Sequence, residues 1–264
     1  MNSETEIIPF IKYLADESSK IIKRYYRTPI YVETKSDNSP VTIADKKTEE
    51  FLRTEIIKKF PGQGIIGEEF EDINTDSEYK WVLDPIDGTK SFICGTPLFG
   101  TLIALLKNDK PIIGAINLPI LNELLIGDNS KTTLNDIPVK ARECKNISDA
   151  VLLTTDFKSY GEYHSKEGLD NLIRKVKMVR GWGDCYGYYL IATGYADIMI
   201  DPIMSVWDMM ALIPVIKGAG GIITDIEGKD TTKGTSIVAS AAGIHSEVKR
   251  ILNEGKFYER SSKG

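Results

Sequence analysis

The sequence predicts a layered α/β protein, and three observations carry that reading. Apolar residues at helical spacing open the chain, short strands separated by turn residues follow, and the second half alternates helix with strand. The opening helix places Ile7, Phe10, Ile11, Leu14, Ile21 and Ile22 near a 3.6-residue period. A polar loop, Lys35-Ser36-Asp37-Asn38-Ser39-Pro40, precedes a second helix over 44–59 that buries Phe51, Leu52 and Ile56. Short strands are expected over 64–68 and 80–84. An antiparallel meander over 98–107, 112–118 and 123–126 follows, with breaks at Asn108-Asp109 and Pro119. Strands are then predicted over 150–154, 177–181, 196–200, 222–225 and 236–240. Helices are predicted over 167–175, 185–193, 207–217 and 246–253, the third stopped by Gly218 and Gly220-Gly221. A boundary near 138–148 divides the chain into halves, 1–143 and 144–264.

Composition narrows the chemistry. The 264 residues carry 33 Lys+Arg against 38 Asp+Glu, a net charge of −5, which disfavours nucleic acid and anionic membranes as partners. The first residues, with Glu4 and Glu6, lack the basic-then-apolar order of a secretory signal, and no apolar stretch reads as a membrane span. A cytoplasmic protein acting on a small molecule is expected. Cys94, Cys144 and Cys185 form no CxxC, and their odd number suits a reducing compartment. With only two histidines, His164 and His245, a His-rich metal site or His-activated nucleophile has little to draw on. Carboxylates and hard cations remain.

Those carboxylates gather in Gly67-Glu68-Glu69-Phe70, in Asp84-Pro85-Ile86-Asp87-Gly88-Thr89, and in Trp207-Asp208. Pro85 is expected to fix a turn on which Asp84 and Asp87 converge on one cation. Gly88 lets the backbone approach an anion, and the Thr89 and Lys90 amides start a helix that can cradle phosphate. Such a hard-oxygen set suits Mg²⁺ or Mn²⁺ rather than Zn²⁺. Plainer readings exist for single residues. Asp45, Asp208, Thr89 and Asp184 can each be helix caps, and Glu69 a solvated neighbour of Glu68.

Together these motifs resemble the inositol monophosphatase superfamily of metal-dependent, lithium-sensitive phosphatases, along nearly the whole chain. The stretches Ser39-Pro40-Val41-Thr42-Ile43-Ala44-Asp45, Thr89-Lys90-Ser91-Phe92, Pro97-Leu98-Phe99-Gly100-Thr101 and Trp182-Gly183-Asp184-Cys185-Tyr186-Gly187-Tyr188 are similar to its histidinol-phosphatase branch. The resemblance implies an αβαβα sandwich and two or three Mg²⁺ ions, with Mn²⁺ a substitute. Glu68, Asp84 and the Ile86 carbonyl would hold one, and Asp84, Asp87 and Asp208 a second. A third would sit on Glu68 and water near Lys35.

In this scheme the Thr89 hydroxyl, paired with Asp45, helps deprotonate a water that attacks a phosphate monoester in line. Gly88, Thr89, Asp87, Asp184, Asp201 and Asp208 would face the substrate. Asp184 replaces a small neutral residue of the inositol branch, and Asp201 falls where the family places another acid. Two acids outside the ligand set favour a cationic leaving group, so histidinol phosphate is the expected substrate. Inositol phosphate, fructose bisphosphate or a nucleotide bisphosphate is the rival. A catalytically silent metal-binding or interaction protein is a third reading, disfavoured by the intact set Asp45, Glu68, Asp84, Asp87, Thr89 and Asp208. A homodimer is expected because family members commonly form one.

Overall fold

In the computed structural model, which describes residues 4–36, 39–158 and 160–254, helix α1 (Glu4–Tyr25) turns Ile7, Phe10, Ile11, Leu14 and Ile22 inward. Ile21, at the edge of that stripe, is only half-buried. The polar segment that followed carries more structure than the sequence suggested. Strands β1 (Val32–Thr34) and β2 (Pro40–Thr42) pair antiparallel around it, while Asp37 and Asn38 lie outside the described residues. Helix α2 (Ile43–Lys59) starts with a capping box, in which Thr42 and Asp45 each accept from the other's backbone amide. Leu52 and Ile56 are buried as expected and Phe51 half-buried, but Glu49 and Arg53 are buried with them.

The first sheet has seven strands in chain order. They are β3 (Gly64–Gly67), β4 (Tyr79–Asp87), β5 (Gly100–Lys107), β6 (Lys110–Leu118), β7 (Glu123–Gly127), β8 (Thr132–Leu134) and β9 (Ile137–Val139). Only β3 and β4 run parallel; the rest form the meander, extended by β8 and β9 beyond the three strands read from sequence. Pro85 does not make the expected turn. Strand β4 continues through Asp84-Pro85-Ile86-Asp87, and the register slips there, Asp84 facing Leu102 and Asp87 facing Gly100. Strict alternation would send residues three apart to opposite faces; the inserted residue turns both acids to one side. A bulge also tolerates proline, which has no amide to pair. Helix α3 (Thr89–Ile93) follows directly.

The second sheet alternates strands with helices, as predicted. It contains β10 (Val151–Thr154), followed by α4 (Tyr160–Tyr163) and α5 (Lys166–Lys175), then β11 (Met178–Arg180), α6 (Asp184–Ala192) and β12 (Ile198–Asp201). The single helix expected over 207–217 is two, α7 (Val206–Met209) and α8 (Leu212–Gly218). Strands β13 (Ile222–Thr224) and β14 (Ile237–Ser240) and helix α9 (His245–Leu252) complete it, in the order β11-β10-β12-β14-β13.

Five layers result. Helices α1 and α2 cover one face of the first sheet through Leu14, Leu52, Trp81 and Ile103. Helices α6 and α8 fill the space between the sheets, where Leu102 and Ile116 meet Tyr188, Ile216 and Met199. Helices α5 and α9 cover the far face of the second through Leu172, Ile198 and Val248. This is the αβαβα order that the resemblance implied.

Candidate metal centre and active-site cleft

The β4 bulge delivers Asp84 and Asp87, and α7 brings Asp208 to meet them. One carboxylate oxygen from each lies within 4.8 Å of the others. Asp84 is 1% exposed, and its Oδ1 has no hydrogen-bond partner among the described residues. Asp87 accepts from the Cys185 amide at the start of α6. Asp208 Oδ2 accepts from the Ser205 amide at 2.7 Å, while the Ser205 hydroxyl accepts from the Asp208 amide. Asp208 is therefore both a helix cap and a member of the acidic cluster.

Electrostatics shows why the cluster needs a cation. Burial, then the charges of Glu68, Asp87 and Asp208, hold the Asp84 carboxyl well above the usual range. Burial and the nearby Asp184 and Asp208 do the same to Asp87. Burial also pushes Asp208 up to about 7, with Glu68 and Asp201 adding to the rise. An orphaned buried oxygen among crowded acids is what a divalent ion relieves, and carboxylate oxygens suit Mg²⁺. The residues present fit the group.

Glu68, at the end of β3, stands beside Asp84. Lys35 Nζ lies 2.7 Å from Glu68 Oε1 and 2.7 Å from Glu69 Oε1. Lys35 thus sits where the loop was expected, with its ammonium on the acid itself. Glu69 is not the solvated neighbour it looked to be. Its side chain is 4% exposed, and burial pushes its carboxyl up to about 7 against the pull of Lys35.

The Thr89 hydroxyl lies 3.0 Å from the Ile86 carbonyl and 3.4 Å from Asp45 Oδ1. Asp45 uses its other oxygen to accept from the Thr42 amide and hydroxyl. Its capping role and its approach to Thr89 thus use different atoms. Gly88 has φ +86°, and a Cβ there would come 3.0 Å from Asp184 Oδ2. The positive φ favours glycine, and a Cβ would also crowd the Asp184 carboxylate.

Asp184 does not cap α6. The N-cap is Gly183, without a side-chain cap bond, and Asp184 itself has φ +50°. A non-glycine residue in the left-handed region needs support. The Thr155 hydroxyl accepts its amide at 2.8 Å, and Ser91 Oγ donates to Asp184 Oδ2 at 3.4 Å. Burial and then the charge of Asp201 push its carboxyl up to about 6. Asp201 is 3% exposed and accepts from the Tyr188 hydroxyl at 2.7 Å. Asp87, Asp184, Asp201 and Asp208 line one cleft of about 300 Å³ with Lys90, Thr155 and Tyr163. Sequence reading missed Thr155, Tyr188 and Ser91 as supports. They come from separate elements, so no spacing announces them.

Comparison with known proteins agrees with this arrangement. The family model for the inositol monophosphatase family matches residues 3–255. The chloroplastic bifunctional phosphatase IMPL2 of Arabidopsis thaliana is 44% identical over 233 residues, covering 86% of this chain and 67% of the relative. A histidinol-phosphatase of Chlorobaculum parvum is 39% identical over 220 residues, covering 83% and 85%. Among solved structures, an inositol monophosphatase from Zymomonas mobilis superposes with a TM-score of 0.81 at 34% identity, covering 96% of this chain and 98% of that one. The match along the chain and the Asp84–Asp87–Asp208 cluster lead to one conclusion: this protein belongs to the inositol monophosphatase family and is a metal-dependent phosphatase.

Proposed function

We propose that the protein hydrolyses histidinol phosphate to histidinol and inorganic phosphate. The observation that carries this reading is the pair Asp184 and Asp201, two acids outside the Asp84–Asp87–Asp208 cluster that line the same cleft. Histidinol carries a protonated amine at neutral pH. With its carboxyl at about 6, Asp184 is mostly ionised at pH 7 and attracts that amine. A charge-assisted bond contributes about 1.5–3 kcal/mol, roughly ten- to over a hundredfold against a neutral polyol. Inositol phosphate is the second reading, and the Zymomonas mobilis likeness favours it. Relatives named for either substrate are similar to this chain, so the choice rests on the cleft.

Asp84, Asp87, Asp208, Glu68 and the Ile86 carbonyl would hold two or three Mg²⁺ ions. When bound, these neutralise phosphate oxygens, acidify water and stabilise the leaving alkoxide. Thr89 Oγ1 accepts a hydrogen bond from the attacking water while donating to Asp45 Oδ1, orienting it for in-line attack. Gly88 leaves the backbone open to the phosphate. Asp184 and Asp201 hold the leaving group's cationic end. Lithium inhibition, a homodimer and a cytoplasmic location belong to the same reading.

The test is Mg²⁺-dependent phosphate release on histidinol phosphate and inositol phosphate side by side. Asp184→Ala should raise KM for the first far more than for the second, roughly ten- to a hundredfold against little change. Equal losses on both would assign Asp184 to structure. A wild-type preference for inositol phosphate would select the second reading, and no release from either ester would overturn both.

A further inference from the structure

Two buried charged residues of α2 have no part in the scheme above. Glu49 is fully buried and Arg53 is 9% exposed, and their side chains pair at 2.7 Å, Nε to Oε1, one helical turn apart. Their remaining polar atoms all reach one short segment. Glu49 Oε2 accepts from the Glu69 amide at 2.8 Å. Arg53 donates through one terminal nitrogen to the Phe70 carbonyl and through the other to the Glu71 carbonyl, each at 2.9 Å. A Cβ on Gly67 would lie 2.0 Å from Glu49 Oε1 and 2.7 Å from an Arg53 nitrogen. The glycine before Glu68 is thus what lets the ion pair lie against the backbone.

A buried ion pair is a poor way to gain stability, because desolvating two charges offsets most of their attraction. Here the pair satisfies three backbone groups in a segment that leaves the sheet, and that segment carries Glu68 and Glu69. We propose that Glu49 and Arg53 are positioning residues, a buried clamp that fixes the turn after β3 so that Glu68 meets Asp84 in a geometry that binds Mg²⁺. The inference rests on reading Glu68 and the aspartate cluster as the metal centre. It adds a supporting layer that lies wholly on α2, away from the cleft.

Calorimetric titration of the apo protein with Mg²⁺ alone provides the test, with apo melting temperature measured in parallel. Losing an outer support of a metal site typically weakens affinity by about 10- to 100-fold. Glu49→Ala should show that loss. Glu49→Gln keeps an oxygen for the Glu69 amide but turns its NH₂ toward Arg53 and removes the charge, so it should lose less affinity than Glu49→Ala without reaching the wild-type value. Arg53→Lys retains the charge pair but cannot fork to two carbonyls, so it should fold and bind Mg²⁺ several-fold more weakly. A purely structural role would lower the melting temperature in all three variants while leaving Mg²⁺ affinity intact in the folded protein. That outcome, or wild-type affinity in Arg53→Lys should Glu49→Ala not fold, overturns the clamp. Asp84→Asn, which removes the ligand shared by both proposed ions, distinguishes the clamp from the metal centre. If it too leaves Mg²⁺ binding unchanged, the metal centre itself has been misread; if it abolishes binding while the clamp variants do not, only the clamp falls.

Discussion

Asp84 Oδ1 is buried with no hydrogen-bond donor among the described residues, and Asp87 and Asp208 beside it are also acids. Asp87 accepts from the Cys185 amide and Asp208 from the Ser205 amide, and an asparagine oxygen can accept either bond. Asp87→Asn or Asp208→Asn should therefore keep the fold and lose most Mg²⁺-dependent activity, measured as phosphate release alongside a melting curve. Full activity in either variant would remove that residue from the metal centre. Thr89→Val keeps the side-chain shape and removes the hydroxyl that lies between Ile86 and Asp45. The turnover number should fall by about 10²–10⁴ with Mg²⁺ affinity unchanged; near-normal turnover would mean that the hydroxyl does not orient the water. At this scale the motif Asp84-Pro85-Ile86-Asp87-Gly88-Thr89 was legible because its chemistry is contiguous in sequence. Thr155 was not, since it supports Asp184 across 29 positions.

Element placement depends on close approach rather than on side-chain bulk. Gly114 of β6 and Gly127 of β7 are register partners in the first sheet. A Cβ on Gly114 would come 2.0 Å from the Ala211 carbonyl oxygen, and one on Gly127 would come 2.5 Å from the Pro214 carbonyl oxygen. Helix α8 and the residue before it thus rest on bare backbone. Gly114→Ala and Gly127→Ala should each destabilise by about 1–3 kcal/mol, the usual cost of overpacking, read from urea unfolding. An unchanged midpoint would show that the helix can lift without cost. The sequence pattern placed most helices and strands because burial on one side imposes a period. It could not reveal the β4 bulge, which depends on pairing with β5, or the break between α7 and α8. Both breaks occur at the site, where regular structure gives way to the geometry that the acids need.

The whole molecule stores repulsion between its sheets, and pH reveals it. The Asp208 carboxyl is raised from 3.8 to about 7, and burial and neighbouring acids raise Asp84 and Asp87 in the same direction. In the apo protein the folded state therefore holds protons that the unfolded chain has released. Stability falls as pH rises from the ordinary carboxylate range through about 7, because the unfolded state binds fewer protons across that window. His245 works in the opposite sense. Buried against Ser240 and Thr224, its pKa is lowered from 6.5 to about 4, so its contribution is lost as pH falls below 6.5. An absolute melting temperature mixes the two effects, whereas the increment produced by Mg²⁺ isolates the cluster. Mg²⁺ stabilises the folded state according to its affinity, and at acid pH it must first displace protons from these carboxyls. The melting-temperature gain from millimolar Mg²⁺ should therefore be larger at pH 8 than at pH 5.5, and in Asp208→Asn the gain should shrink at both pH values, because a charged ligand is lost while Asp84 and Asp87 still titrate. An equal gain at both pH values in the wild type would mean that the cluster stays ionised throughout, and that burial between the two sheets does not raise it.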